Sequence, residues 1–365
     1  MKKYFFYLVA ISLLSIFIIN IPIFSKNLNI IPASDELKYK VKKYIFPYRL
    51  NQTLEKKILN FKKETKDNLE FKRKVQKQLL LIEKNIKLSN NNIVFIKSKD
   101  SKLNINNKIK NISHYQTSQI LYGMNNIFPG SAYLDFYEDK LFLVSSTGII
   151  GFSNNIQEDK IIFKQIKNNI SKFIDDKDFY KNEWFSIKDV LISDNKIYIS
   201  YTNQLNKDCY NTSILSAEIN LDYLNFKYLF NPNECVKIFN EDDVFNAHQS
   251  GGRIAELDNK NLLFTVGEYR LRYKSQESNS VFGKLLKINK FNGKYEIVSL
   301  GHRNPQGLHY DKKKKLILMT EHGPAGGDEI NFIKNEELNS KKNFGWPIAS
   351  YGKHYGGQTK KNSKY

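Results

Sequence analysis

The chain has 365 residues, 41% of them hydrophobic and 13% aromatic, which is apolar material for at least one full core and excludes disorder along the whole length. Its formal net charge of +20 raises the question of an acidic partner. The lysines are scattered among Asn and Ile without a recognition helix or an aromatic RNA-binding signature, so a solvated basic surface accounts for them and no nucleic-acid partner is expected.

Residues 4–24, YFFYLVAISLLSIFIINIPIF, carry no charge and follow Lys2 and Lys3; roughly 20 such residues cross a bilayer as a helix. No Ala-x-Ala-like cleavage site follows promptly, so the reading is a transmembrane anchor over 1–25, with a cleaved signal as the alternative. The basic flank places the N-terminus in the cytoplasm, giving a single-pass inner-membrane protein with its remaining domain in the periplasm. A cleaved signal would export the same domain.

Residues 26–111 read as a helical stalk and a polar linker. Leu54, Ile58, Phe61, Val75, Leu79, Ile82 and Ile86 recur at three- and four-residue spacing, the period of a helix. The stretch 90–110 is rich in Asn, Ser and Lys, as linkers are. After about Ile112 short apolar runs alternate with Asp, Asn, Gly and Lys turns, the pattern of an all-β domain over 112–365. Four segments share one plan of strand, acidic-polar-Lys turn and strand: LDFYEDKLFLVSS from Leu134, VLISDNKIYISYT from Val190, AELDNKNLLFTVG from Ala255 and LHYDKKKKLILMTE from Leu308. Their starts lie about 50 to 65 residues apart, near the upper end of β-propeller blade periods. About four blades are thus expected, and the polar tail SYGKHYGGQTKKNSKY offers no strand pair for another. Two cysteines occur, Cys209 and Cys235. In an exported domain they form either a disulfide or two buried thiols, since sequence does not supply the Cα separation.

The chemistry-bearing segments lie in the last two units. AHQSGGRIAEL (247–257) sets a histidine before Gly-Gly-Arg at a strand entrance, although a lone histidine is by default structural. GHRNPQGLHYD (301–311) compresses Arg303, Asn304 and Gln306 around Pro305, which fixes the local φ. EHGPAGGDEINFI (321–333) combines glycine-rich backbone with Asp328 and Glu329, hard oxygen donors of the kind calcium takes.

These motifs, with VFGKLLKIN (281–289) and NFGWP (343–347), resemble the glucose/sorbosone and soluble aldose sugar dehydrogenases. That family is a six-bladed propeller using pyrroloquinoline quinone and calcium. The resemblance implies oxidation of an aldose sugar or related alcohol by hydride transfer to the quinone. Carried over residue by residue, it makes His248 the general base and Arg303 the stabiliser of charge on the reduced quinone. Asn304, Gln306 and His322 would contact the cofactor. The main-chain carbonyls of Gly323 and Pro324 would ligate a catalytic calcium, while Glu329 and the carbonyl of Phe344 would belong to a structural one. Three departures stand out. Glu268 replaces the usual Asp that orients the base, and His322 stands where some members carry Gln. The chain also ends before the blades that supply cationic partners to the cofactor, so a truncated, inactive form is expected as a possibility. The competing readings are a non-catalytic propeller that binds a sugar or a protein, and a calcium-dependent propeller hydrolase.

Overall fold

A computed structural model describes residues 89–352, apart from 118–131, 155, 157–158, 175–185 and 239–244, together with scattered helical positions between 67 and 85. The apolar run 4–24, most of the stalk and the tail beyond residue 352 lie outside the described residues. Among the described residues no helix is long and apolar enough to cross a membrane.

Arg73–Tyr365 forms one compact unit, and the described part of it from Asn92 onward is built from antiparallel sheets. The first sheet holds six strands: β1 (Ile93–Ile105), β2 (Lys108–Gln116), β3 (Ala132–Tyr137), β4 (Lys140–Ser145), β5 (Ile150–Ser153) and β6 (Lys160–Gln165). A two-residue strand, β7 (Lys167–Asn168), leads out of it. The second sheet contains β8 (Ile187–Ser193), β9 (Lys196–Asn206), β10 (Cys209–Glu218), β12 (Lys227–Phe230) and β13 (Val236–Lys237), while β11 (Tyr223–Leu224) pairs in parallel with β7. The third has β14 (Gly251–Glu256), β15 (Asn261–Val266), β16 (Lys284–Asn289) and β17 (Tyr295–Leu300). The fourth has β18 (Pro305–Asp311), β19 (Leu316–Glu321) and β20 (Glu329–Lys334), and β21 (Lys342–Asn343) returns to lie along β17.

Each of the four repeated segments is the hairpin at one edge of a sheet: β3–β4, β8–β9, β14–β15 and β18–β19. Their acidic-polar turns hold residues at positive φ, such as Asp194 at 49° and Asn195 at 59°, as two-residue hairpin loops require. These edge strands pack against one another in order, β3 on β8, β8 on β14 and β14 on β18. A recurring bond fixes two of these seams. Asp135 of β3 accepts from the Ile192 N–H at 2.6 Å, and Asp189 of β8 accepts from the Ile254 N–H at 2.8 Å.

Alternation along the strands sends successive side chains to opposite faces, and facing sheets share apolar layers. Phe142, Ile150, Ile187, Ile199 and Phe226 join sheets one and two. Tyr198, Ile214, Phe264, Val266 and Leu286 join two and three, and Leu263, Leu285, Ile317, Met319 and Ile333 join three and four. At the two ends of the series apolar side chains stay uncovered: Leu134 and Phe136 on β3, and Leu318, Ile330 and Phe332 on β19 and β20.

Two expectations are settled here. Residues 93–116, which include most of the 90–110 stretch read as linker, form the long β1–β2 hairpin. Its Asn106-Asn107 turn has φ of 48° and 62°, a left-handed pair that asparagine tolerates, so polar composition concealed a turn between strands. Fully buried Ile93 then ties β1 to β6 opposite Phe163. Cys209 and Cys235 are bridged, with Cα atoms 5.4 Å apart. The chain runs out along β10 and returns through β12, and β13 pairs back on β10 with Cys209 opposite Lys237.

Candidate active site

His248 lies in a 3-10 turn, Ala247–Gln249, that enters β14. The Asn246 side chain caps this turn by accepting from the His248 N–H at 2.8 Å, the local bond for which asparagine is favoured at such positions. The turn is held against the strand exit at 267–269: the Tyr269 N–H donates to the Gln249 carbonyl at 2.9 Å, and the Asn246 N–H to the Tyr269 carbonyl at 3.0 Å. Gly267 permits this approach, because a Cβ there would stand 2.1 Å from the Gln249 carbonyl oxygen.

The 301–306 segment joins the same structure. Asn304 Oδ1 accepts from the Gly251 N–H at 3.1 Å, and Gln306 Nε2 donates to the His248 carbonyl at 3.2 Å. Two of the three residues expected to contact a cofactor, Asn304 and Gln306, therefore hold the histidine loop. Arg303 donates through Nη1 to the His322 carbonyl at 2.8 Å. In the amide orientation that satisfies both neighbours, Gln249 accepts from Arg303 Nη2 at 3.0 Å and donates to Glu268. The Arg303 guanidinium lies 5.4 Å from the centre of the Trp346 ring, and that of Arg272 lies 5.5 Å from it, within the range of a cation–π contact.

Gln306 thus holds the His248 main chain, while Glu268, Gln249, Arg303 and the His322 carbonyl form a second hydrogen-bonded set, and the backbone at 248–249 and 303–306 joins the two. Glu268, read from sequence as an orienter of His248, instead contacts Gln249. Its other oxygen, Oε2, is buried with no hydrogen-bond partner among the described residues. Burial pushes its carboxyl up to about 7, against the pull of Arg303 and Arg272. His248 is half-buried, and desolvation, with Lys188 nearby, drops its imidazole to about 3. It is therefore neutral at any pH near 7.

The 321–329 segment borders an open cleft of about 590 Å³ lined by Gln306, Thr320, Glu321, His322, Asp328, Glu329 and Ile330. His322 is exposed, with Nδ1 3.7 Å from Asp328 Oδ2. Asp328 Oδ1 accepts from the Gly323 N–H at 3.1 Å, and the Pro324 carbonyl accepts from the Gly327 N–H at 2.8 Å. A carbonyl has a second lone pair, so Pro324 keeps an oxygen face for a cation. Among the described residues no group of three or more His, Cys, Asp or Glu is arranged to hold a metal. Glu329 accepts from the Asn331 amide at 3.2 Å, and Phe344 packs its ring against buried His302 with centroids 4.9 Å apart. These two residues flank a buried pair in which His302 Nδ1 lies 3.0 Å from Glu321 Oε1. The donor chemistry of Arg303, His248 and the Asn304 and Gln306 amides does fit an anionic quinone.

Sequence reasoning assigned no role to Lys188, Gln249, Glu321 or Trp346. For Lys188 a signal existed, since a charged residue interrupts the strand run SIKDVLI and is only 5% exposed. Gln249 and Glu321 stood inside quoted motifs, but only coordinates reveal that they bridge segments.

A family model described as Glucose / Sorbosone dehydrogenase matches residues 187–365. Aldose sugar dehydrogenase YliI of Escherichia coli (strain K12) is 36% identical over 121 residues, 29% of this chain and 31% of its own length. Quinoprotein glucose dehydrogenase B of Acinetobacter calcoaceticus is 35% identical over 135 residues, 28% of this chain and 27% of its own length. The matched part therefore spans about a third or less of these curated relatives. Among solved structures, the PQQ-bound aldose sugar dehydrogenase of Streptomyces coelicolor superposes with a TM-score of 0.45 at 21% identity, covering 61% of this chain and 64% of that one. The family match contains His248, Arg303 and every other site residue named here, and over residues 187–365 this chain is similar to the glucose/sorbosone dehydrogenases.

Proposed function

We propose that the chain is part of a β-propeller oxidoreductase that oxidises an aldose sugar or a related alcohol, with pyrroloquinoline quinone as cofactor. The observation that carries this reading is the convergence of the His248 turn, held by Gln306 and Asn304, with Arg303, held by Gln249 and the His322 carbonyl, within the segment that the family model matches. The four sheets, with one edge strand of each side by side, support the propeller architecture.

The quinone, when bound, supplies the hydride acceptor. The neutral His248 imidazole takes the proton of the substrate hydroxyl through a ring nitrogen. Arg303, braced by Gln249, the His322 carbonyl and the Trp346 face, presents fixed positive charge without having to reorganise. Asn304 and Gln306 keep the base in register by gripping the Gly251 N–H and the His248 carbonyl, and the other end of each amide serves the cofactor. His322 borders the same cleft. The carbonyls of Gly323 and Pro324 are the proposed calcium ligands. We place the domain in the periplasm behind a membrane anchor at residues 4–24, with a cleaved signal as the alternative.

Dye reduction measured after adding pyrroloquinoline quinone and calcium, across a panel of aldoses and simple alcohols, tests this. Turnover is expected, and His248→Gln should lower kcat at least 100-fold, within the range general-base catalysis supplies. Turnover unchanged by that substitution would reject the assignment.

A further inference from the structure

Past Ile96, β1 leaves β6 and runs on to Ile105 paired with β2 alone among the described strands. The two form a ribbon that projects from one end of the first sheet, the end that also carries the Tyr137–Lys140 turn. This end lies away from the candidate site. Tyr137 Oη donates to Asn195 Oδ1 at 2.5 Å, Lys290 bridges Asp194 and Glu256, and Lys312 reaches Glu256, whereas the bond from the Gly251 N–H to Asn304 joins the opposite ends of β14 and β18.

The ribbon has two unlike faces. Residues directly opposite one another share a face, so Lys99, Leu103, Ile105, Lys108, Lys110 and Ile112 stand together. The 2.7 Å contact between Ser101 Oγ and His114 Nε2 marks the same side. No carboxylate lies among them. The other face holds Asp100, Lys102, Asn104 and Asn111, and Asp100 is bonded there to Ser113 at 2.6 Å. On the first face Leu103, Ile105 and Ile112 are 44%, 51% and 37% exposed, while Lys99, Lys108 and Lys110 are exposed and face no acid across the ribbon. Two solvated strands are marginal in water by themselves. Lysine alone would keep such an edge from aggregating, and branched aliphatics interleaved with it serve no such purpose. Cationic and aliphatic groups on one face, with acid confined to the other, suit the interface of an anionic bilayer: the aliphatics enter the acyl boundary and the lysine stems carry their charges to the headgroups. The turn 312–315 between β18 and β19, at the same end of the fourth sheet, adds four more exposed lysines.

We propose that the Leu103–Ile105–Ile112 face of the β1–β2 ribbon seats on an anionic lipid surface, so that the candidate site's end of the sheets faces away from the membrane. Charge decides the occupant, in a chain of net charge +20: an apolar protein groove would cover the aliphatics but strand Lys99, Lys108 and Lys110, whereas anionic headgroups satisfy both. The inference stands apart from the dehydrogenase reading. The anchor proposed at residues 4–24 would bring the ribbon to a bilayer without deciding which face it presents.

Both cysteines are bridged, so one introduced cysteine can carry a thiol-reactive, polarity-sensitive fluorophore. In the full chain, Leu103→Cys puts the label on the proposed face and Asn104→Cys puts it on the other. Each is mixed with vesicles of phosphatidylcholine alone or of phosphatidylcholine with phosphatidylglycerol. On the anionic vesicles only, the label at 103 should shift to the blue and be quenched by brominated acyl chains, while the label at 104 keeps its aqueous spectrum. Adding Lys108→Gln and Lys110→Gln to Leu103→Cys should lower the ratio of seated to free label about 25-fold, as about fivefold per lysine near the surface implies. Salt at about 1 M, which shortens screening to about 3 Å, should lower it likewise. An unchanged spectrum at 103, an equal response at 103 and 104, or an equal response on the two lipid mixtures would overturn the proposal. So would silence on lipid joined to a shift on a soluble protein extract, which would give the face to a protein. Should labelled Leu103→Cys lose its thermal unfolding transition, Ile112→Cys places the label on the same face. Flotation of the unlabelled chain with neutral vesicles reads the anchor alone, so failure of the anchor and failure of the ribbon are told apart.

Discussion

Two glutamates buried near Arg303 have opposite fates. Glu321 is 6% exposed and fully engaged: one oxygen receives His302 Nδ1 at 3.0 Å and the Asn331 amide at 2.6 Å, the other the Arg303 N–H at 2.8 Å. Burial works to raise its carboxyl, but His302 and these donors override it and hold the group below the usual range. Glu268 is fully buried, touches Gln249 with one oxygen only, and is pushed up to about 7. The difference is partners, since depth is nearly equal. A carboxylate whose lone pairs are all met behaves as architecture, whereas one left with an unmet oxygen keeps a proton affinity near neutrality, where acid–base chemistry operates.

The largest expected effect comes from emptying the satisfied member. Glu321→Ala would strand buried His302, whose other nitrogen is 2.8 Å from the Ser299 hydroxyl, along with the Arg303 N–H and the Asn331 amide. Breaking a buried pair from one side costs about 3 to 5 kcal/mol, read as a fall in the urea midpoint at constant slope. A loss below about 1 kcal/mol would mean that the network relaxes freely and the contrast is one of degree. Next comes Glu268. Its folded-state proton affinity exceeds that of the unfolded chain, so its contribution is fully present below about pH 4.5 and is lost as pH rises through about 7. Glu268→Gln removes that titration. The variant should gain on the wild type by about 2 to 3 kcal/mol between pH 4.5 and 8, measured by denaturation at both ends. A pH-independent difference would show Glu268 to be ionised throughout, like Glu321.

The contrast also marks what the sequence could disclose. The hairpins of all four sheets were legible because alternation and acidic turns are local patterns, and His248, Arg303, Asn304 and Gln306 were legible because each stands in a compact motif. The β1–β2 hairpin was hidden, since its strands are largely solvent-facing and read as polar linker. The bond partners of Glu268 and Glu321 were hidden for another reason. Glu268 is 19 residues beyond Gln249 and Glu321 is 18 beyond Arg303, and nothing local decides which of several nearby donors a carboxylate will meet. The tie of Gln306 to the His248 carbonyl spans 58 residues and depends on how β14 packs on β18.

A third glutamate places the comparison on a graded scale. Glu256, at the outer end of β14, is less buried. Desolvation works to raise it, but Lys290, Lys312 and Ser193 together bring it down to about 2. Its two lysines differ as the two buried glutamates do. Lys290 is 2% exposed and bridges Asp194 at 2.6 Å and Glu256 at 2.7 Å, joining sheets two and three, while Lys312 is 65% exposed and meets only the other Glu256 oxygen at 2.6 Å. Solvent screens the second pair, so Lys312→Ala should cost about 0.5 kcal/mol and less in high salt. Glu256 should still titrate well below 4.5 in that variant, because Lys290 and Ser193 remain, so the stability it confers would persist above that pH and fade only as pH drops toward 2. If Lys312→Ala instead abolished that acid resistance, exposure would not be what ranks these ion pairs, and the sorting of carboxylates by buried partners would fail at its weakest member.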